Sequence, residues 1–302
     1  SPALTTDLHG RVWVAAVAGD GRLLVARGTT DARGLGPFRV AATGSAVTSS
    51  PVLAEDPQGG VRLFAVTAAG SLLERHTVGS RADHWSPPHQ LGLPGSWSTH
   101  AAPAVATDPT GRLWLAAVTR SGGVLTERTV GAAAARWSGF ARVDDRTWSV
   151  TSTPALAAGD DGRAWLATID DRGGLSVRHT APDGGWTADT ALAGTWSPYA
   201  SPSLAVDRTG RVWLAALGQD GVLGVRTAAA DPQIWRPAHG LPSGPAPLTM
   251  SPTLTGTPDG GVLVGLTDRA HRLLWRRPLG PGTLPPAAHG VRGGGYRGAP
   301  LV

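Results

Sequence analysis

A short motif of small residues around a proline recurs six times along the chain, and this recurrence constrains the fold more than any other feature. It reads Ser1-Pro2-Ala3-Leu4, Ser50-Pro51-Val52-Leu53, Ala102-Pro103-Ala104-Val105, Thr153-Pro154-Ala155-Leu156, Ser201-Pro202-Ser203-Leu204 and Ser251-Pro252-Thr253-Leu254. The prolines lie 49, 52, 51, 48 and 50 residues apart. A period of this length marks a repeated supersecondary unit that buries its apolar faces only by stacking on its neighbours.

The fourth unit shows the internal pattern. Pro154 to Ala158 is a small-residue strand, Asp160-Asp161-Gly162 a turn, and Ala164 to Ile169 a second strand. Asp170 to Gly174 turns into Leu175 to Thr180, and the loop Ala181 to Gly185 leads to a fourth strand from Trp186 to about Leu192. Apolar and β-branched runs between Gly/Asp turns are the signature of antiparallel hairpins. Four such strands per unit, repeated six times, predict an all-β, six-bladed β-propeller of four-stranded antiparallel blades. The reading is one domain over 1–302, with repeats starting near 1, 50, 102, 153, 201 and 251. The chain's 42 Gly and 25 Pro suit many tight turns, not long helices. The small-residue strand is expected innermost, where blades crowd the axis, and the Trp-led strand outermost. The proline stands at a strand start, where a missing ladder donor is tolerated. The sixth unit is the most degenerate, with a Pro/Gly-rich stretch from Leu284 to Gly295, and Gly298 to Val302 is a candidate closing strand or a seventh start.

Recurrence within one chain sorts the large residues into sets. The second strand carries Trp13, Phe64, Trp114, Trp165 and Trp213, read as wedges between blades. Phe38, Trp85, Trp137, Trp186 and Trp235 open the outer strand and are read as rim packing. Trp97, Trp148 and Trp196 stand six residues before a repeat proline, each followed by Ser, and the other units lack them. Aromatics kept in only some connecting loops fit a ligand platform, since loops on a rigid scaffold carry binding. An arginine falls in the third strand of every unit: Arg27, Arg75, Arg128, Arg178, Arg226 and Arg276. That set suits either a shared structural bond or a repeated ligand donor. Glu74 and Glu127 precede two of its members.

Several chemistries find no support. Cysteine is absent and the nine histidines are dispersed, so no metal site or cofactor is expected. The Asp-x-x-Gly segments at Asp7, Asp108 and Asp207 lack the further acids of a calcium loop and read as turns. No Gly-x-Ser-x-Gly or phosphate-binding loop is present, and no catalytic residue is nominated. All basic residues are Arg, and the net charge of +5 is spread without a basic block, which argues against nucleic acid. No apolar run approaches the roughly 18 residues of a membrane-spanning helix.

The unit as a whole, with Ser-Pro-Ser-Leu followed by Asp-Arg-Thr-Gly-Arg-Val-Trp-Leu-Ala-Ala (207–216), Gln-Asp-Gly-Val-Leu-Gly-Val-Arg (219–226) and a Trp-led outer strand, resembles the tectonin and PLL-type β-propeller lectins. Its length and blade count are also similar to the six-bladed fucose-binding lectins. The resemblance implies sugar binding between adjacent blades, on an aromatic ring with Arg and Glu partners. Carried over, it points to Trp97, Trp148 and Trp196 with Arg75, Arg128, Arg178, Arg226, Glu74 and Glu127. The expected function is a secreted, non-catalytic lectin-like module whose partners are glycans or glycoconjugates, fucosylated ones among them. A protein-interaction propeller and a propeller enzyme with its site in the central funnel stand as alternatives.

Overall fold

The computed structural model describes residues 2–28, 34–42, 46–78, 84–130, 136–181, 183–221, 223–227, 235, 239–241, 251–256, 262–267 and 273–276. The candidate closing strand, Gly298 to Val302, and the Pro/Gly-rich stretch of the sixth unit lie outside them. All regular structure among the described residues is β, in six antiparallel meanders whose strands pair in chain order, as expected for a six-bladed propeller.

Blade 1 comprises Ala3–Thr6, Val12–Val17, Leu23–Arg27 and Arg39–Ala42. Blade 2 comprises Val52–Glu55, Val61–Val66, Leu72–His76 and His89–Leu91. Blade 3 has Ala104–Thr107, Leu113–Val118 and Val124–Val130, with its outer edge split between Arg136–Trp137 and Ala141–Arg142. Blade 4 comprises Ala155–Ala158, Ala164–Ile169, Leu175–His179 and Thr190–Leu192; blade 5 comprises Ser203–Val206, Val212–Leu217, Leu223–Thr227 and His239–Leu241. Blade 6 is described through Thr253–Gly256, Val262–Thr267 and Leu273–Arg276. The proline-led strands of successive blades pack on one another in chain order, which places the small-residue motif innermost.

Stacking of blade on blade explains the sequence of the second strand. In blades 2 to 5 all six of its residues are buried. A strand covered on both faces has no solvent side, so it reads as a mostly apolar run, interrupted here at Arg62 and Thr168, and not as an alternation. Among the described residues the core is correspondingly divided into five clusters, one between each successive pair of blades from 1 to 6.

Two small motifs hold the ring together. The first is the Asp-x-x-Gly turn. The Asp7 carboxylate accepts the backbone N–H of His9 and Arg11, the Arg11 guanidinium and the Trp13 indole N–H. Burial pushes the Asp7 pKa up, but these donors outweigh it and hold the group below the usual carboxylate value. Asp207 does the same for Trp213, and both segments are turns with every acidic oxygen committed to their own loop.

The second is the Trp-Ser dipeptide between blades. Trp148 N–H donates to the Gly122 carbonyl of its own blade, while Ser149 N–H donates to Ile169 of the next. The serine hydroxyls continue outward: Ser98 Oγ donates to the Val150 carbonyl at 2.6 Å and Ser149 Oγ to Pro198 at 2.8 Å. The turn glycine makes room for this approach. Gly122 has φ of +81°, and a Cβ there would lie 2.7 Å from the Trp148 carbonyl oxygen.

Candidate functional site

The three loop tryptophans are not a platform. Trp97, Trp148 and Trp196 are 2%, 1% and 5% exposed and belong to the inter-blade clusters. Trp97 donates its indole N–H to the Leu91 carbonyl and lies 4.6 Å from Phe140, centroid to centroid; Trp148 donates to Asp144 and is covered by the Arg146 guanidinium. An indole enclosed in this way has no face left for a sugar ring. Their backbone N–H groups form the joint between blades, and Val47-Thr48 makes the same bonds at the first joint without a tryptophan.

The arginine set is in fact two positions on opposite faces of the third strand. Arg75 pairs with Leu63, Arg178 with Leu166, Arg226 with Leu214 and Arg276 with Val264. Arg27 and Arg128 instead face Trp13 and Trp114, one residue further along. A one-residue step along a strand turns the side chain to the other face. Arg75 and Arg178 therefore reach back to the preceding blade, Arg75 to the Ala41 carbonyl at 2.6 Å and Arg178 to Val143 and the Asp144 carboxylate. Arg27 and Arg128 lie over the indoles of Trp13 and Trp114, toward the following blade. Arg226 stands on its strand, but its side chain lies outside the described residues.

Strand register also moves Phe64. Val52 pairs with Phe64 as Ala3 pairs with Ala15, so Phe64 occupies the alanine position; the tryptophan position in blade 2 belongs to Arg62. The same residues are reached from the turn: Trp13, Trp114 and Trp213 stand six residues after Asp7, Asp108 and Asp207, and Arg62 stands six after Asp56. Its Nε bonds the Asp56 carboxylate at 3.0 Å, taking the acceptor that elsewhere holds an indole.

This exchange creates a polar site between blades 2 and 3. Arg62 Nη1 donates to Glu74 Oε1 at 2.7 Å. Trp137, from the outer edge of blade 3, donates its indole N–H to Glu74 Oε2 at 2.8 Å, and His89 Nδ1 lies 3.2 Å from the same oxygen. Arg62 and Glu74 are 9% and 4% exposed, whereas the His89 side chain is 65% exposed and marks the open end. Phe64 meets the Trp137 ring edge-on at 5.9 Å and fixes its plane. Glu127 of blade 3 stands close enough to feel the Glu74 charge. Burial, with the Glu74 charge adding to it, pushes its pKa up to about 7, and its Oε1 has no hydrogen-bond partner.

The other described grooves carry no charge at the Glu74 position. The counterparts of Glu74 are Val25, Thr126, Val177 and Val225. The outer tryptophans there pack edge-on against the second-strand indole: Trp85 on Trp13, Trp186 on Trp114 and Trp235 on Trp165, with centroids 5.9–6.1 Å apart. Arg62 was hidden from the sequence reading because Phe64, two residues on, supplied the aromatic that the pattern demanded. Counting from the turn aspartate would have found it. Among the described residues no cluster of three or more His, Asp or Glu is arranged to hold a metal.

The grooved, six-bladed ring defines a class, that of the six-bladed β-propellers. Lectins are among the solved structures that resemble it. The BP39L lectin from Burkholderia pseudomallei superposes with a TM-score of 0.78 at 19% identity, over 95% of this chain and 84% of its own. The six-bladed, fucose-recognising lectin of Aleuria aurantia gives 0.61 at 12% identity, over 91% and 90%. The NanB sialidase of Streptococcus pneumoniae gives 0.61 at 11% identity and is covered over 64% of its length. At these identities the likeness establishes the fold. No protein-family model matches the chain, and no curated protein matches it in sequence.

Proposed function

We propose that this propeller is a non-catalytic glycan-binding protein and that the groove between blades 2 and 3 is its sugar site. The observation that carries the reading is the Arg62–Glu74–Trp137 constellation, which sets a buried ion pair where the other described grooves carry valine or threonine. A guanidinium beside a carboxylate offers charged donors and acceptors to neighbouring hydroxyls, and hydrogen bonds to ionised groups are the stronger kind. The Trp137 indole adds an apolar ring at the same spot, suited to the C–H face of a pyranose. His89 at the mouth supplies a further polar contact. The lectins of like fold support the same reading, and the fucose recognition of the Aleuria aurantia protein makes fucosylated glycans the first ligands to try.

The test is a glycan array followed by titration calorimetry on the wild type, Glu74→Gln and Trp137→Phe, with thermal melts confirming that each is folded. Both substitutions are expected to weaken glycan binding by about tenfold or more, as the loss of a charge-assisted bond or its positioning does. A folded wild type that binds no glycan overturns the reading. Glycan binding left intact by both variants overturns the placement of the site.

A further inference from the structure

A concavity of about 360 Å³ lies in the next groove, between blades 3 and 4. Its wall carries three guanidinium groups, Arg112 and Arg128 from blade 3 and Arg163 from blade 4, and one carboxylate, Asp161, together with Trp114 and Gly184. Two of these charges are already matched. Arg112 pairs with the buried Asp108 at 2.8 Å, and Arg163 lies 3.4 Å from the exposed Asp161.

Arg128 is different. Among the described residues its guanidinium has no carboxylate partner, and it lies over the Trp114 ring at 5.3 Å. The backbone at Gly184 holds it there: this residue has φ of +84°, and a Cβ on it would overlap both terminal nitrogens of Arg128. Trp114 is 4% exposed, and its indole N–H has no acceptor, whereas Trp13 and Trp213 spend the equivalent group on their turn aspartates. In blade 3 the aspartate is taken by Arg112 and by the Thr110 hydroxyl.

The repeat shows how particular this is. The position of Arg112 and Arg163 is also Arg11 in blade 1, Gly60 in blade 2 and Arg211 in blade 5. The position of Arg128 is Arg27, His76, His179 and Thr227 in blades 1, 2, 4 and 5. Among the described grooves of blades 1 to 5, only that between blades 3 and 4 takes an arginine at all three places, one from the strand start on each side and one from the third strand.

We infer that this pocket binds an oxyanion, a carboxylate or sulfate carried by a sugar-sized ligand. One guanidinium charge is in excess, a buried donor is unspent, and the cavity has room for a single ring. The anion is expected against Arg128, with Arg163 at the rim. A carboxylate accepts from a guanidinium in bidentate fashion, and the indole beneath fixes the plane of the fork. This inference does not rest on the sugar site between blades 2 and 3.

The experiment titrates the folded protein with sodium glucuronate, sodium sulfate and glucose at constant ionic strength, following the Trp114 indole N–H resonance, assigned by its loss in Trp114→Phe. Glucuronate and sulfate are expected to shift that resonance saturably and glucose to leave it in place. Arg128→Gln, which keeps the stem over the indole, is expected to weaken the glucuronate response by about tenfold or more. Arg163→Gln at the exposed rim is expected to weaken it less and guards against a folding defect in the first variant. An equal response to glucose, no saturable response to glucuronate, or an undiminished response in Arg128→Gln would each overturn the inference. A response to sulfate without one to glucuronate overturns the sugar-sized ligand.

Discussion

The groove between blades 2 and 3 and the groove between blades 4 and 5 are built on one backbone plan and filled with opposite chemistry. In the second, Trp165 meets Trp235 edge-on over Val177, with Ala167 beneath. In the first, Arg62, Glu74 and Phe64 stand at the places of Trp165, Val177 and Ala167, while Trp137 keeps the place of Trp235. Three substitutions thus change an apolar seam into a buried ion pair without altering strand pairing. The phenylalanine restores the edge contact that the missing indole would have made. In this groove the buried ion pair is matched on both sides: Arg62 has two carboxylates, and Glu74 accepts from Arg62 and Trp137.

The largest test of this contrast is to strand the charge. Arg62→Ala leaves Asp56 and Glu74 buried without their cation and is expected to cost about 3–5 kcal/mol in urea unfolding. The triple change Arg62→Trp, Glu74→Val and Phe64→Ala rebuilds the apolar filling. It is expected to be at least as stable as the wild type while losing glycan binding. If the triple variant were as damaged as Arg62→Ala, the two fillings would not be interchangeable.

A smaller effect is carried by Glu127. Its folded pKa is raised to about 7 from 4.5, so the folded state resists ionisation that the unfolded chain undergoes freely. Stability from this group is fully present below pH 4.5 and is lost as pH rises to about 7. Glu127→Gln is therefore expected to match the wild type in acid and to exceed it by about 1–3 kcal/mol above neutrality. A difference that does not change with pH would show that Glu127 is paired in the folded state.

The finest comparison concerns two outer indoles. Trp186 donates to the Thr126 hydroxyl at 2.8 Å, and Trp235, facing Val177, has no acceptor. Trp186→Phe and Trp235→Phe remove the same volume, so the extra loss at Trp186 isolates one hydrogen bond, about 1 kcal/mol. Equal losses would mean that the hydroxyl contributes nothing.

How far the sequence disclosed all this follows from what a repeat can and cannot show. The blades, their order and the innermost strand were legible, because proline spacing and turn chemistry act locally and recur. The site was legible only in part. Glu74 stood in the expected set, but its partner was taken to be the adjacent Arg75, which points to the other face. Period-two alternation makes a neighbour in sequence a stranger in space. The loop tryptophans misled for a related reason. Their absence from three units suggested a dispensable platform, yet the staple needs a backbone at that place, and the ring merely fills the cavity behind it.

That staple has a consequence for how the chain can be opened. The joint between blades runs through the interior, with Trp-Ser amides bonded to both neighbours, whereas the outer edges carry exposed irregular segments, such as the one at Gly139. A nick or a circular permutation at Trp148-Ser149 would cut a segment held by two blades at once and loosen both. The same break beside Gly139 would release only the margin of one. The molecule is therefore divisible along its rim and indivisible along the joints where its sequence units meet.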